Sequence, residues 1–233
     1  MRTETKGYFL KEYGSWSVLI TAWLVGIGVS RDFTWLAFPL VLALGLLINS
    51  KQAFTRWLRE KGDQRSFVIF IGQVVVATAV LVAVFGSDVP RLLPLLVVPA
   101  AYLLMNWFAG EHFILTELLG FALLSLAAVL AKFLITNGVD VRLFVAVALY
   151  FTAGVFKIKA FLFKKTTDRV FTVLYVLFAV VVYRGFHLSL FLLLPLLENL
   201  IAAATLYKVR LQTTGWIEVA KSLGFLLLML LYY

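Results

Sequence analysis

Nine runs of mostly apolar residues, each near the length needed to cross a lipid bilayer, constrain this chain more than any other feature. A transmembrane helix takes about 20 predominantly apolar residues. The runs are apolar on every side rather than alternating, which favours helices over the strands of a membrane barrel. With 63% hydrophobic and 14% charged residues among 233, a soluble fold could not bury so much apolar surface. The sequence therefore predicts an all-α, polytopic bundle of transmembrane helices. The predicted spans are residues 15–30, 33–50, 67–86, 92–110, 113–136, 141–157, 170–186, 188–206 and 215–232.

The distribution of Lys and Arg predicts the orientation. With nine spans and a cytoplasmic N-terminus, 15 of the 21 Lys and Arg residues fall in inner segments and four in outer ones. This asymmetry is what the positive-inside rule expects. We therefore expect one integral membrane domain, residues 1–233, multi-pass in the cytoplasmic (inner) membrane. Its N-terminus would be inside and its C-terminus outside.

Residues that the sequence lacks exclude several kinds of chemistry. The chain has no cysteine, so disulfides, iron–sulfur clusters and thiolate zinc sites are excluded. Its two histidines, His112 and His187, would lie at opposite faces of the membrane, about 30 Å apart, and could not ligate one haem iron. The basic residues alternate with apolar spans, which disfavours nucleic acid as a partner. We expect no metal and no cofactor.

Polar and ionisable side chains within the predicted spans collect in the cytoplasmic half of the bundle. Such groups are costly in a bilayer, so each is a functional hypothesis by default. Three interpretations stay open: contacts between helices, a polar cavity open to the cytoplasm, or a path for protons or ions. The candidate binding residues are Lys11, Glu12, Asn49, Asn106, Glu117, Glu198, Asn199, Glu218 and Lys221.

Two long inner connections, residues 51–66 and 157–169, carry many of the remaining basic residues. The first has Phe54, Trp57 and Leu58 at helical spacing, which is typical of a short helix lying on the headgroups. The charges either retain these loops inside and touch anionic lipid, or form a basic lid over a cavity that accepts a phosphate-bearing amphiphile. The candidate headgroup contacts are Arg56, Arg59, Lys157 and Lys159.

Three segments resemble the YwiC-like family of bacterial membrane proteins. LKEYGSWSVLI is similar to the family's opening Lys/Arg–Glu/Gln–His–Gly–Ala/Ser–Trp, with Tyr13 in the place of histidine. LYFTAGVFKIKAFLFKK resembles its small-residue segment before a basic loop, and LQTTGWIEVAKSLGFLLL its C-terminal motif. The resemblance implies an integral membrane protein and no particular reaction. It is carried by Lys11, Glu12, Gly14, Ser15, Trp16, Gly215, Ile217, Glu218 and Ser222.

The nine-helix architecture also resembles the UbiA-type intramembrane prenyltransferases. Those enzymes hold a prenyl diphosphate through Mg²⁺ on Asp-rich motifs in the two corresponding inner regions. Here the motifs are missing, because the first region offers Asn49, Glu60 and Asp63 and the second only Asp168. If the fold is shared, Lys or Arg would contact an anionic headgroup directly.

The sequence leaves several functions open and does not decide whether the protein is an enzyme. Polar groups without a recognisable catalytic set favour a protein that binds a membrane lipid, an isoprenoid or a quinone in a cytoplasm-facing polar cavity. An accessory subunit of a membrane-protein partner is equally compatible. The alternative is a divergent UbiA-like prenyltransferase that uses Glu12, Glu117, Glu198 or Glu218. A small-solute transporter ranks last, because the outer halves of the spans offer only Lys132.

Overall fold

A computed structural model describes residues 13–60, 63–206 and 211–233. Every regular element in these ranges is helical, which confirms the all-α prediction. The α-helices are α1 (Tyr13–Ser30), α2 (Ala37–Arg59), α3 (Gln64–Phe85), α4 (Val89–Leu92), α5 (Val97–Ala109), α6 (Ile114–Thr136), α7 (Val141–Phe163), α8 (Thr166–Gly185), α9 (Leu197–Thr205) and α10 (Leu211–Tyr232).

Short polar signals set several of the helix boundaries. Asp63 caps the start of α3 by accepting the backbone N–H groups of Arg65 and Ser66, and Asp140 caps α7 by accepting that of Leu143. Such caps satisfy N–H groups that have no partner within the helix. α6 ends at Asn137, which adopts the left-handed conformation that asparagine tolerates better than most residues.

Seven helical stretches are long and apolar enough to cross a membrane, within the part of the chain that the structure describes. One of them, Gln64–Ala109, holds 46 residues and contains two of the nine predicted spans. A further apolar stretch, Leu190–Thr205, is shorter and corresponds to the predicted span 188–206. The chain is therefore a multi-pass helical membrane protein by length and composition. The count of nine crossings and the orientation stay predictions.

The long stretch Gln64–Ala109 folds back on itself. The ring of Trp57 contacts Phe67 near the start of the stretch and Trp107 near its end, at centroid distances of 5.2 and 5.7 Å. A straight helix would separate positions 67 and 107 by about 60 Å. The reversal lies between α3 and α5, where 3-10 turns flank α4 and Gly86 has a φ of +52°. The stretch therefore forms two segments that run in opposite directions.

The stretch Leu190–Thr205 runs beside α8 in the opposite direction. The guanidinium of Arg169, near the start of α8, donates to the carbonyls of Ala203 and Ala204 at 2.5 and 2.7 Å. The first seven residues, Leu190–Leu196, form a 3-10 helix that contains Pro195. A 3-10 helix rises about 2.0 Å per residue, whereas an α-helix rises about 1.5 Å. This 3-10 helix and α9 therefore have a combined length of about 28 Å, close to the length of α8.

The connections of the bundle lie at two ends. We call the end with the α2–α3, α5–α6 and α7–α8 connections the basic end, because Arg59, Arg65, Lys164 and Lys165 lie there. Ion pairs tie these connections together, as described below. The predicted inner connections are shorter in the structure, since α2 continues to Arg59 and α7 to Phe163. Lys and Arg interrupt an apolar run, but they are good helix formers. Hydropathy therefore predicted the ends of these two helices several residues too early.

The closest helix packing joins α1 to α6. A Cβ atom added at Gly26 would overlap the carbonyl oxygen of Ala128 and lie 2.8 Å from the Cβ of Ala131. Small residues allow such close approach of helices in membranes. The core around this contact includes Val25, Ala22 and Val147, none of them measurably exposed. This packing holds the first half of the chain against the second.

Candidate functional site

Five side chains from three helices form what we call the ion network: Lys157, Glu198, Asn199, Glu218 and Lys221. Lys157 Nζ lies 2.7 and 2.5 Å from the two carboxylate oxygens of Glu198 and 2.6 Å from Oε1 of Glu218. Lys221 Nζ lies 2.9 Å from Oε2 of Glu198 and 3.0 Å from Oε1 of Glu218. It also donates to Oδ1 of Asn199. Each ammonium thus meets both carboxylates, and the formal charges balance.

The local sequence explains how the network assembles. Glu218 and Lys221 are three residues apart on α10 and share a face. Glu198 and Asn199 lie in the first turn of α9, where the partial positive charge of a helix N-terminus favours an acidic side chain. Lys157 reaches them from α7. Helix rise places the four charged residues about 9–15 Å from the basic end.

Burial differs between the two signs of charge in the network. Lys157 is 1% exposed and Lys221 9%, whereas the side chains of Glu198 and Glu218 are 23% and 38% exposed. Burial of an ammonium is tolerated when it is paired and hydrogen-bonded. The geometry is that of a contact that holds α7, α9 and α10 together. Sequence reasoning assigned Lys157 to headgroups and missed this role, although its depth on α7 matches that of the two acids.

The other three candidate headgroup contacts also carry acidic partners. Arg56 Nε lies 3.1 Å from Oε1 of Glu60, and Lys159 Nζ lies 2.9 Å from Oε2 of Glu117. Arg59 pairs with Glu111 in the α5–α6 connection. Glu117 therefore takes part in an α6–α7 ion pair and does not join the ion network. These pairs neutralise the charges of Arg56, Arg59 and Lys159.

Several buried side-chain N and O atoms have no hydrogen-bond partner among the described residues, and three of them lie on α2, α5 and α6 near the basic end. They are Oγ1 of Thr55, Nδ2 of Asn106 and Oγ1 of Thr116, and we call these residues the α2–α5–α6 polar cluster. Asn106 is 3% exposed and Thr116 1%. Leaving a buried donor or acceptor unmet costs about 1–3 kcal/mol. Such atoms therefore indicate a water molecule or a ligand that forms hydrogen bonds with them.

Helix register places the three residues of the polar cluster at one level. The ring of Tyr102 on α5 rests on Gly120 of α6, 3.6 Å from a Cβ built there. Asn106 and Thr116 follow from that contact by one turn each toward the basic end, so they lie at one level of the α5–α6 hairpin. Thr55 lies one turn from Arg59, which pairs with Glu111 of the same hairpin. All three lie within about 6 Å of their helix ends.

Asn49, the remaining predicted site residue within the described part of the chain, belongs to neither cluster. Asn49 is buried on α2, about 9 Å farther from the basic end than Thr55. Lys11 and Glu12 lie outside the described residues. Nothing in the sequence signalled Thr55 or Thr116, because threonine is ordinary in membrane helices and its hydroxyl usually bonds its own backbone.

A separate polar cluster lies at the opposite end. Lys132 Nζ and the hydroxyl of Tyr233 donate to Oδ2 of Asp140, at 2.6 and 2.7 Å. Burial opposes ionisation of Asp140, but these hydrogen bonds and that from the Leu143 N–H hold the pKa of its carboxyl below the usual value. Lys132 also lies 4.9 Å from the centre of the Tyr233 ring. Sequence reasoning placed Lys132 in the outer half of its span and did not predict either partner.

The described residues include no group of three or more His, Asp or Glu side chains that could hold a metal ion. Magnesium sites in proteins rely on carboxylate oxygens together with substrate phosphates and water. The divergent prenyltransferase stays a prediction, and no contact in the described structure favours it.

The helices and their clusters define a multi-pass α-helical membrane protein with polar groups concentrated toward one end. Within this class, the sequence model of the YwiC-like protein family matches residues 10–132. The chain belongs to this family, as the sequence resemblance indicated. No curated protein and no solved structure matches the chain. The match includes the whole α2–α5–α6 polar cluster, whereas the ion network lies beyond it.

Proposed function

We propose that the protein binds the headgroup of a membrane amphiphile at the α2–α5–α6 polar cluster. The observation that carries the proposal is the set of three buried polar atoms without partners, on Thr55, Asn106 and Thr116. Native proteins seldom leave such atoms unmet. A ligand with hydrogen-bonding oxygens would satisfy them and recover the cost of their burial.

The position of the cluster favours an amphiphile over a water-soluble ligand. The three residues lie within about 6 Å of the helix ends, the depth at which headgroups meet acyl chains. The backbone of α5 packs along α6 and approaches α2 and α3 at isolated points at most. A lipid-like molecule with its headgroup at this depth would keep its tail along the apolar surface of the helices.

The ion pairs of the four candidate headgroup contacts favour a neutral headgroup. Arg56, Arg59 and Lys159 each have a carboxylate partner, and Lys157 has two. A phosphate would have to break such a pair before it could bind. The uncharged donors and acceptors of Thr55, Asn106 and Thr116 carry no such penalty, so we assign recognition to them.

Lipids that co-purify with the protein in mild detergent test the proposal. We expect one amphiphile at near one molecule per protein in the wild type, quantified by mass spectrometry. Thr116→Val keeps the shape and removes the hydroxyl, so the Kd should rise about fivefold for a lost hydrogen bond of about 1 kcal/mol and occupancy should fall. Thr136→Val makes the same change at the opposite end of α6, where the residue is exposed, and should retain the amphiphile.

Two results would overturn the proposal. One is bulk phospholipid of the same composition in wild type, Thr116→Val and Thr136→Val. The other is a stoichiometric protein partner with no enriched amphiphile, which would favour the accessory-subunit function instead.

A further inference from the structure

A glutamine lies within the apolar run of α3, residues 67–85. Helix rise places Gln73 about 9 Å from one end of the run and about 18 Å from the other. Its side-chain Oε1 is buried and has no hydrogen-bond partner among the described residues. Hydrocarbon chains cannot supply one, and an unmet polar group is costly in a bilayer. Because water and headgroups lie beyond the ends of the run, a donor at this depth has to come from protein.

The helix that carries Gln73 lies at the edge of the bundle. In the described part of the chain, α3 packs along α2. Apart from the turn that follows α3, other elements approach it at isolated points at most. Of its 22 residues, only Ser66, Ala77 and Phe85 are buried. Much of the surface of α3 is therefore open to contact with another molecule in the membrane.

Gln73 borders this open surface. Residues three or four apart share a side of a helix, so Ile69 and Val76 flank Gln73. Val76 is 53% exposed, and Ile69 and Gln73 are half-buried. The last torsion of a glutamine side chain has a broad distribution, so the amide can turn either its oxygen or its nitrogen toward the open side.

The amide is self-complementary, which selects the partner. It carries an acceptor oxygen and two N–H donors. In a two-fold dimer whose copies have the same orientation in the membrane, equivalent residues lie at the same depth and can meet. Two Gln73 amides can then donate to each other, and such hydrogen bonds between side chains promote helix association in membranes. We infer that the protein forms a dimer in which α3 packs on α3 of a second copy through hydrogen-bonded Gln73 side chains.

Disulfide cross-linking in membranes tests the inference, because the sequence has no native cysteine. Val76→Cys places a thiol on the side of Gln73, and oxidation with copper phenanthroline should give covalent dimers. Val75→Cys is the matched control, since this valine is adjacent in the chain and 59% exposed. It lies two residues from Gln73, about 160° away around the helix, and should give few dimers.

The role of the amide is tested in the Val76→Cys background. Gln73→Met keeps the length of the side chain and removes its hydrogen bonds, so dimer association should weaken about five- to tenfold. Gln73→Asn retains an amide and should keep part of the association. The thermal midpoint of unfolding shows whether each variant is folded, and Gln73→Leu replaces Gln73→Met if that variant is not.

Four results would overturn the inference. Equal cross-linking at positions 75 and 76 would reflect random collision in the membrane. Cross-linking at position 76 that is the same with glutamine and methionine at position 73 would show that the amide does not hold the dimer. The absence of covalent dimers at position 76, or cross-links there to a different protein, would show that a second copy is not the partner of α3.

Discussion

Replacing Lys157 by methionine is expected to destabilise the helix bundle by about 3–5 kcal/mol, because it removes one partner of a buried, hydrogen-bonded charge cluster. Glu198 and Glu218 would then share the single ammonium of Lys221. Methionine has a similar length and good helix propensity, so the loss reports the charge rather than packing. Chemical or thermal unfolding in detergent micelles measures it.

A matched control and a compensating change make this prediction specific. Lys159→Met, two residues farther along α7, removes an ion pair in which both side chains are partly exposed. It should lower the free energy of unfolding by at most about 1 kcal/mol. The double variant Lys157→Met with Glu198→Gln restores the balance of charge and should recover much of the loss. A Lys157→Met protein no less stable than Lys159→Met would show that the ion network does not hold α7, α9 and α10 together.

Replacing Gly26 by alanine is expected to destabilise the protein by about 1–3 kcal/mol or more, the usual cost of overpacking a tight core. The added methyl group would overlap the backbone carbonyl of Ala128. A backbone atom cannot rotate aside as a side chain can, so α1 and α6 would have to separate. The folded fraction recovered after purification and the thermal midpoint measure the effect.

Gly154→Ala is the matched control, because glycine is again replaced within a helix but, apart from the nearby backbone of that helix and the chain neighbours, no atom lies within 4 Å of the new Cβ. Helix propensity alone should then stabilise the protein by as much as about 1 kcal/mol. Equal effects at Gly26 and Gly154 would contradict the close packing of α1 on α6.

Hydropathy predicted the helices well because a bilayer demands long apolar runs. Each predicted span corresponds to a helical element, and residues 114–136 were placed almost to the residue. The hydropathy pattern did not predict that α2 and α7 continue through charged residues to Arg59 and Phe163. It also gave no sign that residues 190–196 form a 3-10 helix, because both helix types satisfy their backbone groups internally and look alike in composition.

Depth along the helices could be predicted, but the partners of each side chain could not. Glu198, Glu218 and Lys221 were placed in the same half of the bundle, and they do meet. Lys157 was assigned to lipid headgroups because the sequence does not show which face of α7 meets α9 and α10. Gly26 and Gly154 both lie in predicted apolar spans, yet of the two only Gly26 makes a close helix contact, since an inward and an outward glycine are indistinguishable in sequence.

Completion of the α2–α5–α6 polar cluster by a ligand is best tested by the stability of Thr116→Val, measured against wild type with and without co-purified lipid. In delipidated protein, the variant should be the more stable by about 1–3 kcal/mol, because it removes an unmet buried hydroxyl. In protein that retains its amphiphile, the order should reverse, since only the wild type gains the hydrogen bond and the ligand stabilises the state that binds it. A variant less stable than wild type in both preparations would show that the protein itself satisfies the hydroxyl and would contradict a ligand site there.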